Sequence, residues 1–374
     1  MRLVYIVTRA DSVGGASIHV RDLARAMRER GHAASVLVGG RGPVTDQFES
    51  AGVPFQALQF LRRDVSPPED FMAILELAGA LKRLKPDLVS THTAKAGFLG
   101  AAACRLLSIP VIHTPHGWPT AERMRSRKSL FYGRAEKLAA RWRSRIVCVC
   151  EYEKRIALEQ GLAPQGKLVV VHNGVRDIAE ELRARPERSP VRICSVARFQ
   201  APKDHETLLR ALALLRGQNW KLDLAGDGPD EEKMRRLAAD LGMGGRTSFH
   251  GYLADPAGLL AQCQVFALAS NSEAFPRSIL EALRAGLPVA AADVGGVGEA
   301  VRSGANGLLV EKASPEKFAA ALGRLLADAE LRRTMGAEGR ARFEDRFRLE
   351  TMVERTAAVY ATVQNRTARA ERPT

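Results

Sequence analysis

Several things are scarce in this 374-residue chain, and each scarcity excludes something. No stretch approaches the ~20 consecutive apolar residues that a bilayer span requires. The best run, "AGFLGAAACRLLSIPVI", is broken by Arg105 and Pro110. The opening "MRLVYIVTRADS" turns polar too soon for a signal peptide and reads as a first strand. Cysteine is sparse, odd in number and scattered, five in all, which argues against a disulfide framework and for a reducing compartment. Cys148 and Cys150, in the strand-like run "RIVCVC", are expected to be buried thiols rather than metal or redox groups. Cytoplasmic residence is the resulting expectation. Internal repeats, long low-complexity tracts, zinc-ligand spacings and the aromatic motif of RNA-binding modules are also missing. So is any Asp-x-Asp element, which removes the usual sequence sign of a metal-bridged diphosphate.

Acidic residues are outnumbered, 42 against 56 basic ones, for a formal net charge of +14. Charge alone leaves three classes of partner open: nucleic acid, an anionic membrane surface, or phosphorylated small molecules.

What the chain does contain is strand and helix in alternation. "RLVYIVT", "AASVLVG", "DLVSTH", "PVIHT", "RIVCVC" and "KLVVVH" form a first series of short β-branched runs. "VRICSVA", "KLDLAG", "RTSFHG", "QVFALAS" and "LPVAAAD" form a second, and longer helical patterns separate the runs. Such alternation specifies α/β architecture with parallel sheets covered on both faces. The charged segment "RDIAEELRARPERSP" divides the two series. The expected organisation is an N-terminal Rossmann-like domain over 1–175, a linker over 176–190 and a C-terminal Rossmann-like domain over 191–346. A helix over 347–365 returns to the first domain, and 366–374 is a disordered tail. Two doubly wound domains facing each other would present the carboxyl ends of both sheets to a shared cleft, where such sheets bind ligands.

"SNSEAFPRSILEALRAGLPVAAADVGG", residues 270–296, holds the first chemical signal. Pro276 suits the first position of a helix and Gly286 its end, so amides near Phe275, Pro276 and Arg277 form an anion site after a strand. Glu273 on the loop and Glu281 in the second turn are placed for one carboxylate to meet a sugar and the other a ribose, since carboxylates accept hydrogen bonds from vicinal hydroxyls. Taken singly, either glutamate is better explained by the helix dipole or by solvation. In "VARFQAPKDHETLLRAL", Arg198 and Lys203 fall at another strand-to-helix turn. Surface cations are common. Two at one such turn favour a pyrophosphate, each charge pair contributing about 4 kcal/mol at ~4 Å and effective dielectric ~20, before desolvation.

The ordered set of a Glu, seven residues and a second Glu, then "AGLPVAAADVGGVGE", preceded by "SVARFQAPKD" and "LAGDGP", resembles family 4 of the GT-B nucleotide-sugar glycosyltransferases. "GGASIHVRDLARAMRERGH" and "VVVHNGV" extend the likeness over nearly the whole chain. The resemblance implies the GT-B fold and retaining sugar transfer from a nucleotide sugar, here expected to be a UDP-sugar, to a hydroxyl acceptor, with no metal or other cofactor. It implies that Arg198 and Lys203 hold the donor diphosphate, Glu273 the sugar hydroxyls and Glu281 the ribose. Gly14 and Gly15 let the backbone approach the diphosphate, and His116 of "HTPHGW" lies near sugar and acceptor, with Trp118 beside it. His19, His92, His113 and His172 have weaker claims. Ala274 stands where the family commonly has glycine. Phe199, Arg277 and Trp118 are further candidates for shaping specificity.

Over "TAERMRSRKSLFYGRAEKLAARWRSR", Phe131, Ala135, Leu138 and Trp142 recur as an apolar seam beside a column of Arg127, Arg134 and Arg141, with Arg123, Arg125, Lys128, Lys137, Arg143 and Arg145 adding charge. A solvated helix packed on its domain explains this about as well as docking on anionic lipid. Similarity of residues 91–118 to enzymes that extend polyprenyl-pyrophosphate-linked oligosaccharides leads to the expectation of a lipid-linked acceptor and a peripheral position at the inner face of the cell membrane. The competing readings are a hydrolysing UDP-sugar epimerase of the same architecture and, on charge alone, a nucleic-acid-binding protein; the expectation is no nucleic-acid partner.

Overall fold

The computed structural model describes residues 1–118 and 127–370, with side chains at 1–118 and 130–365. The chain divides into two units, 1–173 with 350–374, and 174–349.

Seven parallel strands build the sheet of unit 1: β1 (Arg2–Val7), β2 (Ala33–Gly39), β3 (Phe55–Leu58), β4 (Leu88–His92), β5 (Val111–Thr114), β6 (Arg145–Cys148) and β7 (Leu168–Val170). Their order is β3-β2-β1-β4-β5-β6-β7. The helices are α1 (Gly15–Glu29), α2 (Pro43–Ser50), α3 (Pro67–Leu84), α4 (Ala94–Leu106), α5 (Arg127–Trp142) and α6 (Glu151–Glu159). In unit 2 the strands are β8 (Val191–Val196), β9 (Trp220–Ala225), β10 (Thr247–Phe249), β11 (Val265–Leu268), β12 (Val289–Ala292) and β13 (Gly307–Val310). They run parallel in the order β10-β9-β8-β11-β12-β13. Its helices are α7 (His205–Ala213), α8 (Glu231–Asp240), α9 (Ala257–Ala261), α10 (Arg277–Ala285), α11 (Val297–Ala300), α12 (Pro315–Ala327) and α13 (Ala329–Arg346). A last helix, α14 (Leu349–Ala370), belongs almost wholly to unit 1.

β4, β5, β11 and β12 are buried at every residue; β11 and β12 accordingly read as unbroken apolar runs, whereas β4 and β5 also bury Ser90, Thr91, His92, His113 and Thr114. Leu222, Leu224, Val265, Leu208, Leu212 and Phe318 form the heart of the unit 2 core. Val4, Ile6, Val89, Leu77 and Leu99 do the same in unit 1. Tyr360 of α14 is buried against Ser90 and Tyr5, and burial pushes its phenol up to about 12. All five cysteines are buried and in no disulfide; β6 ends at Cys148, and Cys150 precedes α6 rather than continuing the strand.

The two short edge strands β3 and β13 were not among the expected runs. Each has one neighbour, and β3 buries only Leu58 fully, so little apolar signal is needed to hold it. The tail expected from residue 366 is helical as far as Ala370, because "RTARA" is made mostly of good helix formers; residues 371–374 lie outside the described part. Among the described residues, no helix is long and apolar enough to cross a membrane.

In each sheet the strand order reverses beside the first strand, between β1 and β4 in unit 1 and between β8 and β11 in unit 2. Connections leave in opposite directions there, which opens a crevice at the carboxyl ends where open α/β sheets take ligands. The chemistry-bearing residues fall at those two places.

Candidate functional site

In unit 2, the β8-to-α7 turn and the β11-to-α10 loop meet beyond the carboxyl ends of paired strands. Asp204 N–H donates to Ala269 O at 3.0 Å and Asn271 N–H to Pro202 O at 2.8 Å, so the two segments are stitched together. Asp204 also caps α7, accepting from Thr207 N at 3.0 Å and from Thr207 Oγ1 at 2.7 Å. This framework places Lys203 Nζ against Glu273 Oε1. Arg198 lies 3.3 Å from the carboxylate of Asp227, which follows β9. Glu273 is the most enclosed of the four, its side chain 9% exposed, whereas Lys203 is 19%, Arg198 29% and Asp227 51% exposed. Two cations and two carboxylates thus stand at one sheet edge, with the charges balanced internally.

Two glycines make this packing possible. Gly295 has φ +58, and a Cβ there would lie 1.7 Å from Glu273 O; the neighbouring Gly296 N–H donates to Ala274 O at 2.9 Å. The Gly-Gly turn after β12 therefore braces the loop that carries Glu273. Gly226, at φ +149, would place a Cβ 2.0 Å from Ala197 O, so the approach of the Asp227 loop to the Arg198 loop also requires glycine.

Helix α10 starts one residue later than expected. Pro276 is its N-cap, so the first-turn amides belong to Arg277, Ser278 and Ile279 rather than to Phe275 and Pro276. Gly286, at φ 79, closes the helix in the left-handed conformation. The Arg277 guanidinium is buried and donates to Gly174 O at 3.0 Å, and the Phe275 ring packs on Phe347 at 5.5 Å. These side chains hold the helix in place. Glu281 is half-buried on α10, near enough to the buried Arg284 to oppose the downward pull of desolvation on that guanidinium. Phe199 corrects another expectation: it is fully buried, stacked on His205 at 4.3 Å, and shapes no pocket wall.

In unit 1, Gly14 caps α1 in extended conformation, and a Cβ there would meet nothing of the protein. The fold itself thus makes no demand for glycine at this position. Gly15 opens the helix. One turn on, His19 sends Nδ1 to Asn173 Oδ1 at 3.0 Å. His92 ends β4, with Nε2 3.0 Å from Ser90 Oγ and Nδ1 2.9 Å from His116 Nε2. His116 follows β5 at φ 56 with Gly117 at φ 112, positive angles that are uncommon outside glycine but that histidine adopts more readily than most side chains. Glu153 of α6 holds that turn: its carboxylate accepts from Gly117 N–H and, at 2.8 Å, from Val149 N–H, while Trp118 Nε1–H donates to Glu153 O at 2.9 Å. Trp118 is only 4% exposed, so it anchors the turn in the core rather than facing an acceptor. Burial, with His19 and His113 adding, drives the His92 pKa well below its ordinary value and keeps it neutral. His19 and His92, given weaker claims on sequence, stand in one cluster with His116. For His92 the available signal was its place at the end of β4; His19, on α1, offered none.

The expected apolar seam on α5 is also corrected. Phe131 and Leu138 are 59% and 41% exposed, together with Leu130 at 44%, while Ala139 and Ala140 are buried. Arg143 is not a surface charge: it is fully buried and paired with Glu136 at 2.6 Å. Arg134 and Arg141 are exposed; the side chain of Arg127 lies outside the described residues, as do Arg123 and Arg125. The outer face of α5 is therefore apolar and basic together. Phe71, Met72 and Leu75 of α3 are exposed as well, and α4 packs against both helices.

Comparison with known proteins bears on both units. Residues 13–177 match the family model described as Glycosyltransferase Family 4, and residues 178–342 that of Glycosyl transferases group 1. The Escherichia coli UDP-Gal:alpha-D-GlcNAc-diphosphoundecaprenol alpha-1,3-galactosyltransferase is 28% identical over 304 residues, covering 77% of this chain and 78% of its own. The Bacillus anthracis N-acetyl-alpha-D-glucosaminyl L-malate synthase is 25% identical over 380 aligned positions, covering 96% and 97%. Among solved structures, Anabaena HepE in complex with UDP and glucose superposes with a TM-score of 0.82 at 22% identity, over 96% of this chain and 99% of that one. With two doubly wound parallel sheets, both family models and this likeness of fold, the chain belongs to the family 4 glycosyltransferases of the GT-B fold.

Proposed function

We propose that this glycosyltransferase moves a sugar from a UDP-sugar to a hydroxyl of a lipid-linked oligosaccharide, with retention of anomeric configuration, in cell-surface polysaccharide synthesis. The observation that carries the donor reading is the placement of two ion pairs, Lys203 with Glu273 and Arg198 with Asp227, beyond the carboxyl ends of the strands beside the β8/β11 reversal. A diphosphate entering there replaces Glu273 as the partner of Lys203 and Asp227 as the neighbour of Arg198. The released Glu273 carboxylate accepts hydrogen bonds from the sugar, and Glu281 does so from the ribose. Gly14 and Gly15 admit the diphosphate, and His116 serves sugar and acceptor.

In the reaction, the bond from the anomeric carbon to the β-phosphate oxygen breaks and its electron pair stays with the phosphate. Arg198 and Lys203 stabilise that charge as it grows, a role for preorganised groups that need no reorganisation. The acceptor oxygen bonds to the anomeric carbon on the same face, and its proton passes to the departing phosphate. With no Asp-x-Asp element in the sequence and two fixed cations at the sheet edge, the diphosphate is held without a metal.

For the acceptor, the printed substrate of the E. coli relative is a diphosphoundecaprenol-linked sugar. The exposed Leu130, Phe131 and Leu138 alternate with Arg134 and Arg141 on α5, the pattern of an element lying on anionic headgroups at the cytoplasmic face of the membrane. Each cation near such a surface contributes about 1 kcal/mol.

The test is a panel of UDP-, GDP- and ADP-sugars incubated with enzyme and either lipid-linked oligosaccharide or a water-soluble hydroxyl acceptor. Transfer from one UDP-sugar to the lipid-linked acceptor, with the anomeric configuration kept, is expected. Turnover of donor without any acceptor would instead identify a hydrolysing epimerase, and transfer to the soluble acceptor alone would remove the lipid-linked reading.

A further inference from the structure

Three histidines come together in unit 1 from separate elements: His19 from the first turns of α1, His92 from the end of β4 and His116 from the turn after β5. One ring nitrogen from each lies within 4.8 Å of the other two. Ring centroids are 4.7 Å apart for His19 and His116, 5.2 Å for His92 and His116, and 5.5 Å for His19 and His92. His19 and His92 are buried and His116 is half-exposed, so the cluster has a rigid floor and a side open to solvent. We propose that His19, His92 and His116 form a binding site for a single zinc ion, with the fourth position left to water.

Imidazole nitrogen suits zinc, and three protein ligands with one open position is an established zinc arrangement. The outer partners that such ligands need are in place. Asn173 Oδ1 lies 3.0 Å from His19 Nδ1, so a proton held there leaves the ring's lone pair on Nε2. Ser90 Oγ lies 3.0 Å from His92 Nε2 and does the same for Nδ1. Zinc–nitrogen bonds of about 2.0–2.1 Å in a tetrahedron set ligand nitrogens roughly 3.4 Å apart. The 2.9 Å between His92 Nδ1 and His116 Nε2 must therefore widen slightly, and the widest separation must close, both by rotation of the rings.

The protons balance without release. The hydrogen bond between His92 and His116 holds one proton on that line. If it sits on His92 Nδ1, it moves to Nε2 and is donated to Ser90 Oγ; if on His116 Nε2, it moves to Nδ1. Each ring stays neutral with one proton, and zinc accepts the three lone pairs. On the reading of His116 as the sugar and acceptor residue, occupation of the site blocks transfer reversibly.

The experiment uses the full chain without an affinity tag, titrated with cobalt(II) as a visible probe of the zinc site. The expected result is one equivalent bound with the intense d–d bands of a low-coordinate nitrogen site, and loss of those bands when zinc is added. His19→Asn and His92→Gln should each weaken zinc binding ~100-fold or more, and Asn173→Ala, which removes only an outer partner, ~10-fold. His32→Gln, outside the cluster, should bind as the parent does. Thermal melts of each variant establish folding, and should His92→Gln not fold, His19→Asn and Asn173→Ala carry the comparison. No low-coordinate bands, or binding undiminished in His19→Asn, would overturn the proposal. Binding that also inhibits transfer supports the site and the role of His116 together; binding without inhibition supports the site and contradicts that role.

Discussion

The two units place their candidate site residues beyond the carboxyl edges of two doubly wound sheets, yet arm them with opposite chemistry. Unit 2 offers fixed charge: Arg198 and Lys203, held beside Asp227 and Glu273. Unit 1 offers imidazoles, of which His92 and His113 are driven well below their ordinary pKa by burial first, and so stay neutral. Permanent charge suits a diphosphate that must be gripped and then carry more charge as it leaves. His116, the partly exposed member of the cluster, can exchange hydrogen bonds with hydroxyl groups, which hardly ask for Coulomb energy. The lesson is that a doubly wound sheet supplies a place, and the loop residues at its carboxyl edge decide what is bound there.

The largest effect that sharpens this contrast is expected from Lys203→Ala or Arg198→Ala. Each should lower turnover ~100-fold or more with the fold intact, as loss of one preorganised donor generally does. Wild-type turnover by either folded variant would break the contrast at its strongest point.

Unit 2 contains a neutral imidazole too, and it makes a different prediction. His205, buried against Phe199, is pushed down to about 4, by burial first and by Lys203 second. As pH falls, the unfolded chain takes up the proton near 6.5 while the folded one does not. Stability is therefore full above pH 6.5 and is lost progressively down to pH 4, by about 2 kcal/mol at pH 5. Denaturant melts of His205→Gln should show a flatter pH dependence over that window; an unchanged slope would remove His205 as the cause.

Glu281→Gln should raise the KM for the UDP-sugar ~10-fold while leaving kcat within a few-fold, the signature of lost ground-state binding to the ribose. A fall in kcat alone would move Glu281 to the reacting centre. Smallest in effect, Phe131→Ser with Leu138→Ser should reduce flotation with anionic vesicles several-fold at physiological salt, without changing UDP binding. Equal flotation of parent and variant would leave the exposed face of α5 to some other partner.

Much of this was legible in the sequence. β11 and β12, buried on both faces, were readable as apolar runs, and the edge strands β7 and β10 were read too, whereas β3, with no β-branched residue, and β13, with Val310 alone, were not. The residues Arg198, Lys203, Glu273 and His116 were visible because each follows a strand closely. What joins them was not: Asp227 beside Arg198, Gly295 beneath Glu273, and Glu153 under the His-Gly-Trp turn are all long-range partners. Periodicity misled on α5, where Phe131 and Leu138 point outward because small residues, Ala139 and Ala140, fill the buried face together with the Arg143–Glu136 pair. The same limit hid the gathering of His19 and His92 around His116, since 1-D spacing carries no sign that the carboxyl ends of β1, β4 and β5 are neighbours.

The central claim is that the fixed charges of unit 2 hold a nucleoside diphosphate, and calorimetry with UDP tests it most directly. Saturable binding to the parent is expected, weakened at least ~10-fold by Lys203→Ala and unchanged by Arg134→Ala on α5. UDP heats that are absent in the parent, or identical in parent and Lys203→Ala, would contradict the account.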